Sequence, residues 1–184
     1  MFDHLIDTLK KDKTKWAKFK QNFVEREIAS KTVLLSEGEI STQLYFIKKG
    51  CLRIWFNKDG KDITFQFFFE GGAVASIDSF LSNQPSMFTI ESIEPSTILS
   101  INKDNFEQLL QVFPELKDGL QEIMYQRFRN YAQLFLSRIK DTPQERYQEL
   151  ILNHPEIIKR VPQHYIASYL GITPISLSRI RNRK

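Results

Sequence analysis

From about residue 31 to about residue 101 the apolar side chains fall into short runs rich in β-branched and aromatic residues. The runs are Thr32–Leu35, Leu44–Ile47, Leu52–Phe56, Ile63–Phe69, Phe88–Ile93 and Thr97–Ile101. Turn chemistry separates them: Ser36-Glu37-Gly38, Lys49-Gly50, Asn57-Lys58-Asp59-Gly60 and Glu70-Gly71-Gly72. Five of the seven glycines lie between Gly38 and Gly72. Glycine reaches the positive-φ conformations of tight hairpins without steric cost, so this crowding implies many closely spaced turns. Short strands at such spacing predict a small antiparallel barrel or jelly roll.

The flanks change period. Residues 1 to about 30 are expected to be helical, with Phe2, Leu5, Ile6 and Leu9 and then Trp16, Phe19 and Phe23 at helical spacing. The lysines between Lys10 and Lys20 mostly miss that stripe and read as a solvated face. Helical spacing returns near Lys103 with Phe106, Leu109 and Leu110, and the helix stops before Pro114, because a residue preceding proline is pushed out of the α region. From Pro114 a long helix is predicted to about Lys140. In it Leu120 is apolar, and Met124, Phe128, Tyr131 and Phe135 follow at spacings of 4, 3 and 4, the seam of a coiled coil. Packing on its own barrel would produce a similar stripe. A length of roughly 25 residues, about twice the usual helix, favours a dimer helix. Thr142 then suits an N-cap and Pro143 a first helical position, with the helix ending at Asn153-His154-Pro155.

Charge is unevenly placed. The chain has 26 basic and 22 acidic residues, a formal charge of +4. The last acidic residue is Glu156, and Lys159, Arg160, Arg179, Arg181, Arg183 and Lys184 follow it without an anion. The first 156 residues thus hold 20 basic against 22 acidic groups, and the final 28 carry +6. A basic end on a near-neutral body suits a polyanion such as nucleic acid. A solvated basic tail gives the same count. The single cysteine, Cys51, excludes an internal disulfide framework and a cysteine-rich zinc site, and reads as a small strand residue. No apolar run approaches the roughly 20 residues of a membrane span, and the N-terminus lacks the pattern of a signal peptide. A cytoplasmic protein without a membrane partner is expected.

Residues 162–183 read PQHYIASYLGITPISLSRIRNR. Pro162 opens one helix with Ile166, Ala167 and Leu170 on its inner face; Gly171 ends it in the left-handed conformation. Thr173 caps a second helix, Pro174 takes its first position, and Leu177 and Ile180 face the first. A small residue for close approach, a glycine turn and a locking leucine make a helix-turn-helix. The second helix would then enter the major groove. Arg179 suits guanine O6 and N7, and Ile175 suits a thymine methyl. Ser176, Ser178 and Asn182 point outward beside them; Thr173 and Gln163 stand at the helix starts, and Arg181, Arg183 and Lys184 suit phosphate.

A β-roll, a long helix and a C-terminal helix-turn-helix, in that order, resemble the catabolite-activator and fumarate–nitrate-regulator (CRP/FNR) family of bacterial transcription factors. The resemblance covers nearly the whole chain. LLSEGEISTQLYFIKKGCLRIWF is similar to the family's early β-roll, with Gly38 and Gly50 at its turn glycines, and GITPISLSRI to its recognition helix, with Arg179 at the base-reading arginine. It implies an α+β fold of three parts. Residues 1–113 form N-terminal helices and an antiparallel, cyclic-nucleotide-binding-like sensor roll, 114–140 a dimerisation helix and 141–184 the DNA-binding domain. It also implies a homodimer on a pseudo-palindromic operator with half-sites roughly 34 Å apart. RNA polymerase is a further partner to expect of such a regulator.

The sequence departs from the family in two places. Members that bind cyclic nucleotide usually carry a Glu for the ribose and an Arg-Ser pair for the cyclic phosphate. Here the stretch is GGAVASIDSFLSNQPSMFTIES, with Ile77 near the expected Glu and Ser86, Met87 and Phe88 in the Arg-Ser region. No Lys or Arg occurs from Glu70 to Ile101, so cyclic AMP is not expected to bind tightly by the usual chemistry. Ser76, Asp78, Ser86, Met87 and Phe88 are the candidate pocket for an unidentified small-molecule effector. The second departure is that Lys184 directly follows the recognition helix, where relatives often continue into a winged hairpin. Either the wing is absent or the sequence is part of a longer chain.

Haem, iron–sulfur and metal cofactors are not expected: one cysteine cannot ligate a cluster, and His4, His154 and His164 lie outside the roll. No Ser/His/Asp grouping, phosphate loop or metal-ligand spacing points to an enzyme. A DNA-binding regulator is the leading reading. The alternative is a small-molecule-binding barrel whose C-terminal helices contact other proteins.

Overall fold

The structure, a computed structural model, describes Leu9 and residues 11–182. Phe2, His4, Leu5, Ile6, Lys10, Arg183 and Lys184, named above, lie outside the described residues. The chain forms two compact units: Met1–Phe56 with Phe67–Leu120, and Asn57–Gln66 with Gln121–Lys184.

The first unit holds the β-roll. Its eight strands are β1 (Val24–Ile28), β2 (Val33–Leu35), β3 (Gln43–Lys49), β4 (Leu52–Lys58), β5 (Lys61–Phe68), β6 (Ala73–Val74), β7 (Thr89–Ser92) and β8 (Ser96–Asn102). The end of β4 and most of β5, Asn57–Gln66, belong to the second unit. The strands make two four-stranded sheets, ordered β1-β8-β3-β6 and β2-β7-β4-β5, and the pairings within the first unit are antiparallel. Ile47, Leu52, Val74, Ile90 and Ile98 are wholly buried in the roll. Tyr45 ties the two sheets by donating from Oη to the Leu34 carbonyl at 3.0 Å.

Gly50 shows why the β3–β4 turn needs its residue. Its φ is +101°, and a Cβ there would lie 2.7 Å from the Ser96 Cα and closer still to the Ser96 hydroxyl. Both the backbone conformation and the approach of β8 therefore require the missing side chain.

Around the roll lie α1 (Lys13–Phe19), a 3-10 turn (Lys20–Asn22), α2 (Ile77–Ser82) and α3 (Lys103–Val112). Asp12 caps α1 by accepting from the Thr14 and Lys15 amides, which, with the Lys15 charge, holds its carboxyl below the usual carboxylate range. Leu9, Leu44, Phe46, Phe80, Ile101, Leu109 and Phe113 form one apolar cluster that seats these helices on the first sheet. The expectation of helix up to about residue 30 is corrected here. Val24–Ile28 is a strand, because its backbone pairs with Ser96–Ser100 of β8, a tertiary partner that outweighs local spacing.

The helix α4 (Leu116–Lys140) spans the boundary between the units at Leu120. The second unit continues with α5 (Pro143–Asn153), α6 (Pro155–Arg160), α7 (Gln163–Leu170) and α8 (Pro174–Asn182). At the start of α5 Thr142 is the N-cap, as Thr142-Pro143 suggested, and with Glu145 it forms a reciprocal capping box. The short α6 departs from the sequence reading. Pro155 ends α5 as expected but also serves as the first residue of the next helix, where its missing N–H costs nothing.

Candidate nucleic-acid interface

The helix pair α7–α8 is built by local chemistry. Pro162 accepts the first-turn amides of Tyr165 and Ile166 at 3.0 and 3.2 Å. Tyr165, Ile166, Ala167 and Leu170 are buried. Gly171 takes φ 70° and ψ 33°; its amide bonds to the Ser168 carbonyl and that of Ile172 to Ala167, both at 3.0 Å. These two bonds are the Schellman closure of a helix. Two arginines finish the end of α7: Arg138 donates to Tyr169 O at 2.6 Å, and Arg146 to Leu170 O at 3.0 Å and Asp141 O at 2.6 Å. Burial, then the neighbouring Arg146 charge, makes Arg138 easier to deprotonate than usual. Burial also pushes the Tyr169 phenol up, reinforced by Glu149.

Helix α8 is fixed from both sides. Thr173 Oγ1 accepts the Ser176 amide at 3.1 Å, and Leu177, 1% exposed, fills the interface with α7, where Ala167 is wholly buried. The outward face carries Ile175, Ser178, Arg179, Arg181 and Asn182, all exposed. Ser176 is half-buried, and its hydroxyl lies 3.0 Å from that of Thr173. Gln163 and Arg181 come together at the rim of a cleft of about 190 Å³ floored by Tyr147, Ile166 and Leu177. Arg183 lies outside the described residues.

The tip of the β4–β5 hairpin also bears on this unit, which sequence reasoning missed. Ser168 of α7 accepts the Thr64 amide and donates to the Asp62 carbonyl, both at 2.8 Å. β5 is the last strand of its sheet, and edge strands leave N–H and C=O groups to be satisfied from outside. One hydroxyl here does the work of a neighbouring strand. Nothing in the sequence near Ser168 signals a partner more than 100 positions away.

The expected seam on α4 is partly redistributed. Met124, Phe128 and Phe135 are 44%, 74% and 66% exposed, with Tyr125, Leu136 and Ile139 beside them. Tyr131 is not on that stripe; its ring packs 5.2 Å from Phe65, and burial raises its phenol. The exposed stripe runs instead through Ala132. Leu120 is half-buried.

In the roll, the candidate effector residues separate. Ser76 and Ser86 are buried and bonded to each other at 2.8 Å. Ser86 Oγ also donates toward the Phe88 carbonyl at 2.7 Å and accepts the Phe88 amide at 3.0 Å. Phe88 is half-buried, its ring 6.3 Å from Phe56, whereas Asp78 and Met87 are exposed. A buried cation does stand in the roll, on β4. Arg53, 1% exposed, donates from Nε and Nη2 to Glu91 Oε2 at 2.9 and 2.7 Å and lies 4.8 Å from the Trp55 ring. The hydroxyl pair closes on itself, and the buried guanidinium is matched by a carboxylate. Among the described residues no group of three or more His, Cys, Asp or Glu is placed to hold a metal ion, and no helix is long and apolar enough to cross a membrane.

Comparison with known proteins agrees with this architecture. Residues 25–113 match the cyclic nucleotide-binding domain. The chain is 28% identical over 102 residues to the cAMP-activated global transcriptional regulator CRP of Pasteurella multocida, covering 55% of this chain and 49% of that protein. It is 21% identical over 169 residues to the transcriptional activator FnrA of Stutzerimonas stutzeri, covering 86% and 69%. The chain thus spans about half the length of the first relative and about two thirds of the second. The structure of FixK2 from Bradyrhizobium japonicum superposes with a TM-score of 0.73 at 18% identity, over 86% of this chain and 82% of that one. Residues 25–113 thus form a cyclic nucleotide-binding domain, and the chain as a whole resembles the CRP/FNR transcription regulators in sequence and fold.

Proposed function

We propose that this protein is a sequence-specific, DNA-binding transcription regulator that acts as a homodimer and carries no catalytic activity. The observation that carries the reading is α8. It is locked through Leu177 and Gly171 on one side and presents Arg179, Arg181, Ser178 and Asn182 to solvent on the other. That is the placement a helix needs to lie in a major groove. The names of the relatives, one an activator and one a cAMP-activated regulator, support the same reading. The exposed apolar stripe of Met124, Phe128 and Phe135 supports α4 as the dimer helix.

The test is selection of binding sites for the full chain from random duplex DNA, followed by titration of the selected site. Affinity should fall steeply with salt, and Arg179→Ala should lose base preference at one position, at about 1–3 kcal/mol. An Arg179→Ala protein with unchanged affinity and specificity overturns the assignment of α8. Native mass should give a dimer that Phe128→Asp dissociates. We further propose that cyclic AMP is not the effector. Ser86 spends its hydroxyl on Ser76 and Phe88, and Arg53 is held by Glu91. Calorimetry showing micromolar or tighter cyclic AMP binding refutes this. The effector class stays open to the retained-ligand mass of protein purified from cells.

A further inference from the structure

We infer that Ile175 is a specificity residue that reads the 5-methyl group of a thymine, so that each operator half-site holds a T:A pair close to the guanine taken by Arg179. The inference rests on the DNA-binding reading of α8 and adds to it the identity of a base.

Ile175 is 67% exposed on the first turn of α8, whereas Leu177, two residues on, is 1% exposed. An isoleucine this exposed contributes little to packing within the unit. The only other side chains on that turn that could address a base edge are Thr173 and Ser176, and the structure commits both. Thr173 Oγ1 takes the Ser176 amide, and the two hydroxyls lie 3.0 Å apart. Ser176, expected from sequence to point outward, is half-buried in this cap. The first turn therefore offers the groove an aliphatic surface. The donors and acceptors of guanine, cytosine and adenine edges gain nothing from such a surface and lose water to it. The one apolar group displayed in the major groove is the thymine methyl.

Arg179 stands four residues further along the same face and is exposed. Four residues advance about 6 Å along a helix axis, against about 3.4 Å per base step. The thymine and the guanine should therefore lie about two steps apart. The proposal is independent of the unassigned effector.

Uracil substitution in DNA tests it directly, because deoxyuridine removes the methyl and leaves pairing intact. On the selected operator, replacing one thymine per half-site should weaken the wild-type protein about fourfold, the value of one buried methyl, while replacing the others changes little. With Ile175→Ala the same replacement should have no further effect, and replacing that T:A pair by 5-methylcytosine:guanine should retain more wild-type affinity than cytosine:guanine does. Ile175 is exposed, so its variant keeps the fold, which circular dichroism checks. If no thymine in the half-site is sensitive to uracil while Arg179→Ala still loses its guanine, the Ile175 inference is wrong and the DNA reading stands. If no duplex is selected at all, the DNA reading itself fails.

Discussion

Breaking the Arg53–Glu91 pair should destabilise the roll more than any other single polar substitution. The two residues face each other directly across β4 and β7. Arg53 is 1% and Glu91 8% exposed, and two of the guanidinium nitrogens, Nε and Nη2, converge on one carboxylate oxygen at 2.9 and 2.7 Å. Desolvating both ions has already offset much of their attraction, so the pair contributes little against an apolar alternative. Removing one partner is different, since it strands a charge away from water, and costs about 3–5 kcal/mol. Glu91→Gln and Arg53→Met should each lose that amount. At about 2 kcal/mol per molar urea the unfolding midpoint drops by about 1.5–2.5 M. The double variant Arg53→Met/Glu91→Leu should recover most of the loss, or exceed the parent by about 1–4 kcal/mol. The assay is tryptophan fluorescence during urea unfolding. Both tryptophans, Trp16 and Trp55, lie in the first unit, so the signal reports that unit's transition. Single variants that shift the midpoint by less than about 0.3 M, below any of these magnitudes, would show that water reaches the pair. A double variant as unstable as the singles would refute the desolvation argument.

Three further outcomes follow from the second unit. Leu177→Ala should cost about 2–5 kcal/mol and abolish binding to a selected operator, because a cavity opens between α7 and α8; denaturation of the unit followed by circular dichroism measures it. The Thr142 amide and hydroxyl hold Glu145 below the usual carboxylate range of 4.5. A carboxylate with a lowered folded pKa stabilises fully above its unfolded value and loses that contribution as pH falls through the folded one. Acid titration from pH 6 downward should therefore loosen the start of α5, and Thr142→Ala should remove that dependence. Ser168→Ala should expose the Thr64 amide to hydrogen exchange while leaving the Schellman amides of Gly171 and Ile172 protected; equal protection of Thr64 in parent and variant would show that the serine does not hold the hairpin tip.

What the sequence shows of this fold divides by how far apart the interacting residues lie. The α7–α8 pair is readable because Ala167, Gly171, Thr173 and Leu177 act within eleven positions and each residue type has a local reason to be there. The N-cap at Thr142 is readable for the same reason. β1 is not: Val24-Glu25-Arg26-Glu27-Ile28 is mostly exposed and shows no alternation, and it is a strand only because β8 offers an edge. The seam on α4 could be counted but not oriented, since Phe65 draws Tyr131 off it and that contact spans most of the sheet and the long helix.

The effector cassette shows the same division inside one site. The absence of a cation between Glu70 and Ile101 is a property of composition and is visible at once. The buried cation that the roll does contain sits on β4, 38 positions from its carboxylate, and only strand pairing brings the two together. Read locally, Arg53 is one charge in Leu52-Arg53-Ile54-Trp55, and a polar residue in such a run would be assigned to solvent. Its burial changes what an effector must do. An anionic ligand seeking that guanidinium has to displace Glu91 and then leave a buried carboxylate unpaired, at a cost comparable to breaking the pair by mutation. A neutral ligand faces no such penalty. The Arg53–Glu91 pair therefore penalises an anionic ligand at that guanidinium, which supports the proposal that cyclic AMP is not the effector.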